Sequence, residues 1–248
     1  MSRGLIKYVV LAMFFSVGLG LAQDSDSLVE RAIKLYQTRH LDRANLNASA
    51  QLLEKIVKDE PENIRALCEY SKVCYLLGDE AKDKKEKLRL YKLGIELGER
   101  AKKIDDHCAE VHFWYLVNLG RMGQTKGILN SLGLVPKIKS EIDKVLKLDS
   151  LHTGALDARA MLYYELPGLL GGDLNKSLEA LNKALRIDSS YTVLYVDMAR
   201  VYMKKKNYER ARWFLNRVLE IEEPKYEADY MLHDRPEAIR LLRKIEQK

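Results

Sequence analysis

Beyond the N-terminal segment, apolar positions recur along almost the whole chain with the period of an amphipathic helix, and no stretch alternates as a strand would. The five prolines, at 61, 136, 167, 224 and 236, fall with one exception where a helix should stop or start. The chain therefore reads as all-α. Aligning the segment ends brings out a repeat: Glu54-Lys-Ile-Val-Lys-Asp-Glu-Pro61, Glu99-Arg-Ala-Lys-Lys-Ile-Asp-Asp106, Asp143-Lys-Val-Leu-Lys-Leu-Asp-Ser150, Asn182-Lys-Ala-Leu-Arg-Ile-Asp-Ser189 and Asn216-Arg-Val-Leu-Glu-Ile-Glu-Glu223. Each closes on a small or β-branched residue, an aliphatic, and then an acidic mark. The marks at Glu60, Asp105, Asp149, Asp188 and Glu222 are spaced by 45, 44, 39 and 34 residues.

These ends resemble the second helix of a tetratricopeptide repeat. Thr192 to Pro224 has that repeat's ordinary length and carries Tyr195, Ala199, Tyr202, Asn207-Tyr208, Ala211, Leu215 and Val218 at its key positions. The three units before it must carry about 11, 10 and 5 extra residues. In the second unit the extra length reads as a long helix from about Lys84 to Lys103, with Gly94 and Gly98 placed for a close helix contact. In the third it is expected around Gln124 to Pro136. In the fourth it is Leu166-Pro-Gly-Leu-Leu-Gly-Gly-Asp173, whose leucines are expected to fold back on the array and whose Asp173 should cap a helix.

No helix pair of this kind buries its apolar face alone, so stacking must make one continuous core. Small residues at Ser71, Ala101, Ala160, Ala184, Ala199 and Ala211 would let neighbours pack closely. The expected architecture is a tetratricopeptide-type helical-hairpin solenoid of about five helix pairs over residues 23–226, wound as a right-handed superhelix. A capping helix over 227–248, started by Asp234-Arg-Pro236, should cover its last face.

The N-terminus adds an address. Arg3 and Lys7 precede an apolar run from Tyr8 to Leu21, with small residues at Gly20 and Ala22, which reads as a secretory signal peptide over 1–22. The run is shorter than the roughly 20 residues of a spanning helix, and an uncleaved anchor is the alternative. No cysteine follows it for lipidation. The product is expected in the periplasm or cell envelope. The net charge of +6 falls to +4 without Arg3 and Lys7, a solubility-level balance with no nucleic-acid footprint.

Taking position 1 of the first helices as Ile64, Ala109, Thr153 and Thr192 sets a concave wall: Arg65, Cys68, Lys72 and Tyr75; Glu110, Phe113, Val117 and Arg121; Asp157, Met161 and Tyr164; Val196, Arg200 and Met203. Aromatics, methionines and cations together suit a peptide or an amphiphile. Cys108 and His112 share a helix face, but no third ligand has matching spacing, and a structural role is the better reading. Cys68 and Cys74 lie on nearly opposite faces of one helix; a Cys74–Cys108 bridge is one reading and buried free thiols are the other. Lys176-Ser177 follow Asn175 with no preceding strand, which fails the phosphate-loop test. No nucleophile, base and orienter stand together, so no enzyme, cofactor or metal site is expected.

The run Phe113-Trp-Tyr-Leu-Val-Asn-Leu-Gly-Arg-Met-Gly123 and the element Leu166-Pro-Gly-Leu-Leu-Gly-Gly-Asp173 resemble the periplasmic T-component of TRAP transporters. That resemblance implies trimers, a solute-binding-protein partner and an apolar channel through each protomer. Phe113, Val117, Met161, Tyr164, Leu169 and Leu170 would line that channel. Trp114-Tyr115 and the segment to the fourth repeat are also similar to the regulator of microtubule dynamics proteins of eukaryotes, whose microtubule role does not transfer to an exported chain. The two resemblances together span roughly Cys108 to Glu222. The resulting expectation is a scaffold that docks another envelope protein, such as a solute-binding protein. A carrier of a small apolar or amphipathic ligand is the rival.

Overall fold

The computed structural model describes residues 25–247, apart from the side chains at 128 and 129. The segment expected to be a signal peptide, 1–22, lies outside the described residues. A first helix, α1, is described from 25 to 37. It is followed by α2 (Ala44–Asp59), α3 (Ile64–Glu80), α4 (Lys84–Ile104), α5 (Ala109–Lys126), α6 (Ile128–Leu148), α7 (Thr153–Glu165), α8 (Leu174–Ile187), α9 (Val193–Lys204) and α10 (Tyr208–Glu220). The chain ends in a helical turn α11 (Glu227–Asp229), a π-helical turn Tyr230–Asp234 and α12 (Arg235–Glu246). No strand occurs among the described residues. These are five stacked helix pairs and a C-terminal helix, with the first helices of the third and fourth units starting where the acidic marks place them.

Those marks have a local cause. Asp105, Asp149 and Asp188 end α4, α6 and α8, and each carboxylate accepts the backbone N–H two residues on, from His107 (2.8 Å), Leu151 (2.9 Å) and Ser190 (2.9 Å). Such side-chain turns stop one helix and aim the chain into the next. Asn63 then caps α3 by accepting from the Ala66 N–H, and the His152 ring does the same for Ala155.

Pairs stack through the small residues. Ala101, Ala160, Ala184, Ala199, Ala211 and Ser71 are fully buried. A Cβ on Gly94 would collide with the Asn118 side chain, and one on Gly98 would lie 2.9 Å from Tyr115 Cβ, so α4 and α5 approach as closely as the two glycines suggest. Asn118 bridges this junction by donating to the Ser71 carbonyl (2.9 Å), while the Ser71 hydroxyl donates to the Gly94 carbonyl (2.8 Å). Apolar clusters run from α1–α5 through Phe113, Leu116, Ile142 and Val145 to a last cluster over α7–α12.

The extra length of the third unit, expected around Gln124 to Pro136, is helical: α5 runs to Lys126, α6 starts at Ile128, and Pro136 lies inside α6. Gly127, at φ +109, turns the chain between them in one residue, so the extra length is helix. Proline inside α6 removes one backbone donor, and the remaining hydrogen bonds carry the helix past it. In the fourth unit Leu169 and Leu170 do not fold back on the array; Leu169 is 102% and Leu170 52% exposed. The glycines there serve the turn itself. Gly171 has φ +95, a Cβ on Gly172 would collide with the Leu166 carbonyl, and Asp173 caps α8 through the Asn175 and Lys176 N–H groups.

The three cysteines are free thiols, Cys68 and Cys74 buried and Cys108 half-buried. Burial pushes the Cys74 and Cys68 thiols well up. His112 is 2% exposed, with Nδ1 2.7 Å from Glu141 and Nε2 3.1 Å from the Asp106 carbonyl. Both ring nitrogens are thus taken, and Glu141 also meets Lys102, which ties α4, α5 and α6 together.

A candidate partner-binding cleft

The first helices of the pairs face one another across a cleft of about 2160 Å³. Its walls come from α1, α3, α5, α7 and α9, with part of α6 at one side. Among the residues expected on the concave wall, Lys72, Tyr75, Phe113, Val117, Arg121, Asp157, Met161 and Arg200 line it. Arg65 does not: it reaches across to Glu30 and Asp26 on α1. Tyr164 lies under Lys204, whose ammonium is 4.4 Å from its ring centre, and Met203 packs on the C-terminal apolar cluster. Leu169 and Leu170 stand outside the cleft, and only Leu166 and Pro167 of that insert touch it. Phe113 is 9% exposed, and its ring fills the space beside Gly154, so most of it is core.

The residue pattern missed two contributors. One is the first pair, where Tyr36 of α1 and Arg39 of the turn after it enter the cleft. The other is the C-terminal segment, which the pattern assigns only to a cap. Ala238, Leu241 and Ile245 of α12 do pack into the last apolar cluster. The residues before it, from Tyr226 to Asp234, instead cross the cleft to the first pair. Asp229 meets Arg39, and a Glu227 oxygen lies 3.8 Å from His40 Nε2. Sequence separations near 190 residues left no local signal of this closure.

Both signs of charge stand in each half of the cleft, Glu69, Asp79 and Glu110 beside the cations of the N-terminal half and Arg200, Lys225 and Arg240 beside the acids of the other. At the N-terminal half, Lys72 donates to the Tyr36 hydroxyl (3.0 Å), and its ammonium sits 4.6, 5.1 and 5.7 Å from the ring centres of Tyr36, Trp114 and Tyr226. Arg121 meets Asp79 and lies 5.7 Å from the Tyr75 ring. At the C-terminal half, Asp157, Asp197 and Asp234 converge from α7, α9 and the π turn. Burial raises Asp157 well above the usual carboxylate range, with the neighbouring Asp197 adding to it, and raises Asp197 as well against the pull of Arg200. Asp234, buried and accepting from the Thr192 hydroxyl at 2.5 Å, is pushed up to about 7 by burial and by Asp229 and Asp197. Arg200 binds Asp197 at 2.6 Å and Glu237 at 2.9 Å and holds this cluster together.

Among the described residues no helix is long and apolar enough to cross a membrane.

The family model described as "Regulator of microtubule dynamics protein 1-3" matches residues 28–169, more than half of the chain and further towards the N-terminus than the resemblance at Cys108 indicates. A tetratricopeptide repeat model matches residues 169–230. No curated protein matches the sequence. Among solved structures, a thermophilic TPR protein of Thermus thermophilus is similar at 15% identity with a TM-score of 0.66, over 88% of this chain and 99% of that one. PilW, a type IV pilus biogenesis factor, is similar at 14% identity with a TM-score of 0.57, over 91% and 94%. PilF of Pseudomonas aeruginosa is similar at 16% identity with a TM-score of 0.53, over 90% and 93%. At these identities the likeness shows the fold.

Proposed function

Because this chain belongs to the family described as regulator of microtubule dynamics protein 1-3 and completes its array with a tetratricopeptide repeat, we propose that it is a non-enzymatic scaffold whose cleft docks another protein. One observation carries the reading: the cleft draws side chains from every pair, with charged and aromatic groups set among aliphatic ones along its length. Such a surface reads a peptide by its charges and rings. A carrier of a small apolar ligand would need a closed chamber walled by Met161, Tyr164 and the Leu169-Leu170 insert. Of these only Met161 faces the cleft.

We place the protein in the cell envelope. The basic start at Arg3 and Lys7, the apolar run to Leu21 and the small residues at Gly20 and Ala22 support that address. The microtubule of the family's description is accordingly not carried over. The pilus biogenesis factor among the similar structures is a precedent for the fold and names no partner here. The T-component resemblance gains no support from the matching models, and a solute-binding protein is one envelope protein among those the cleft would fit.

A photo-crosslinking residue at Val117, inside the cleft, tests the reading against the same residue at Trp213, exposed on α10. In extracts of the protein's own cells, a protein adduct from position 117 and none from 213 is expected. Adducts from 213 alone would move the docking face out of the cleft.

A further inference from the structure

We propose, resting on the reading that the cleft docks a protein, that the partner presents an acidic, tyrosine-bearing segment, and that residues 226–230 of this chain hold its place until it arrives. This run, Tyr226-Glu227-Ala228-Asp229-Tyr230, lies against the N-terminal half of the cleft as a bound peptide would. The Tyr226 ring packs edge-on against Tyr191 at 5.2 Å between centres, with Lys72 at 5.7 Å on its face. Ala228 is 2% exposed, and the two acidic residues flanking it reach Arg39 and His40.

The receiving surface has more donors than this segment uses. Arg39 is 2% exposed and commits Nη1 to the Tyr36 carbonyl and Nη2 to Asp229. Its Nε has no hydrogen-bond partner among the described residues, the nearest carboxylate being Glu80 at 3.8 Å. Nδ1 of His40 and Nε of Arg121 are buried and unpartnered as well. A buried donor left open is costly, and a ligand that brings acceptors removes that cost. Asp79 and Glu80 answer part of the local positive charge, through Arg121 and through Arg39 and Arg43, and Glu69, accepting from the Tyr36 hydroxyl at 2.9 Å, adds a third carboxylate near Lys72. The open guanidinium Nε–H groups of Arg39 and Arg121 remain, and they select carboxylates and carbonyls.

The run is also built to leave. Glu227 is 70% exposed at the side chain, and its contact with His40 holds weakly, which leaves Asp229, on the buried Arg39, as the latch of the run. The π turn behind the run, from Tyr230 to Asp234, is a rare geometry that often marks functional positions. Beyond it α12 stays anchored through Ala238, Leu241 and Ile245, so the front of the segment can lift without unseating the cap.

The test uses the full chain and a fluorescent synthetic peptide copying residues 224–232, followed by anisotropy at low salt. Asp229→Ala frees Arg39 and unlatches the chain's own copy. It is expected to bind the peptide about tenfold more tightly than wild type, because competition from the resident segment falls. Adding Lys72→Met is expected to remove about tenfold. A peptide with its Glu and Asp changed to Gln and Asn should not bind. An Asp229→Ala chain of unchanged helicity that ignores the peptide, or binds the neutral version equally, would overturn the proposal. If crosslinks from Val117 still capture a protein in that case, only the acidic, tyrosine-bearing assignment falls. If they also fail, the docking reading falls with it.

Discussion

Phe113 shows how a residue at the right spacing can do a different job from the one its position suggests. Its place on α5 puts it on the cleft wall, yet the ring occupies the room a Cβ on Gly154 would take and stacks 4.5 Å from the His152 ring. Phe113→Ala should therefore cost about 3–5 kcal/mol, the usual range for emptying a core phenylalanine, read as a lower urea midpoint at unchanged slope. A variant that kept its stability and lost only binding would return Phe113 to the cleft surface. The buried carboxylates give a second prediction. Asp234 is pushed up to about 7 by burial and by Asp229 and Asp197, against an unfolded value near 3.9. Between those values the folded state keeps a proton the unfolded chain has lost, so stability falls as pH rises through that window. Glu237 works the other way: Arg240 and Arg200 hold it low, and its contribution is lost only in stronger acid. The melting temperature should drop from about pH 5 to about pH 7. Asp234→Asn should flatten that slope, and a slope unchanged by it would mean that Asp234 ionises freely. Neither the aromatic's burial nor the raised acids could be read from spacing, since both depend on what the neighbouring helix places opposite.

At the scale of the elements, the helices were legible because each is set by local signals: apolar period, a capping side chain, an acidic stop. Ile64, Ala109 and Thr153 begin their helices as the repeat register requires, and Thr192 stands one residue before the start of α9. Connections were less legible. No pattern marks Gly127 as the turn between α5 and α6, and Pro136 sits within α6, where it breaks one hydrogen bond without ending the helix. The Leu169-Leu170 turn reads as packing and is exposed, because Gly171 and Gly172 bend it away from the array. Leu169→Ser with Leu170→Ser should change stability by less than about 0.5 kcal/mol, in contrast to the core leucines around it. A large loss in thermal unfolding would mean the turn is packed after all.

Across the whole molecule, stacking makes each pair depend on its neighbour, and α12 finishes the stack by covering Leu215 and Val218 of α10. Deleting 227–248 should expose that face, and size-exclusion chromatography should show self-association; a monomeric, stable truncation would deny the capping role. The same deletion would also open the cleft, because Tyr226 to Asp234 close it against α1. That closure is the part of the molecule no local pattern announces. It joins residues 190 positions apart through a few side chains, and periodicity carries no information about such a pairing. The central claim is that the cleft serves a protein. The measurement that tests it most directly is a pull-down of the chain from extracts of its own cells, with proteins and small molecules in the eluate both identified by mass spectrometry. A protein recovered in stoichiometric amount, and lost with Lys72→Met and Arg121→Ala, is the result expected. A bound lipid or organic acid with no protein beside it would contradict the account and make the array a carrier.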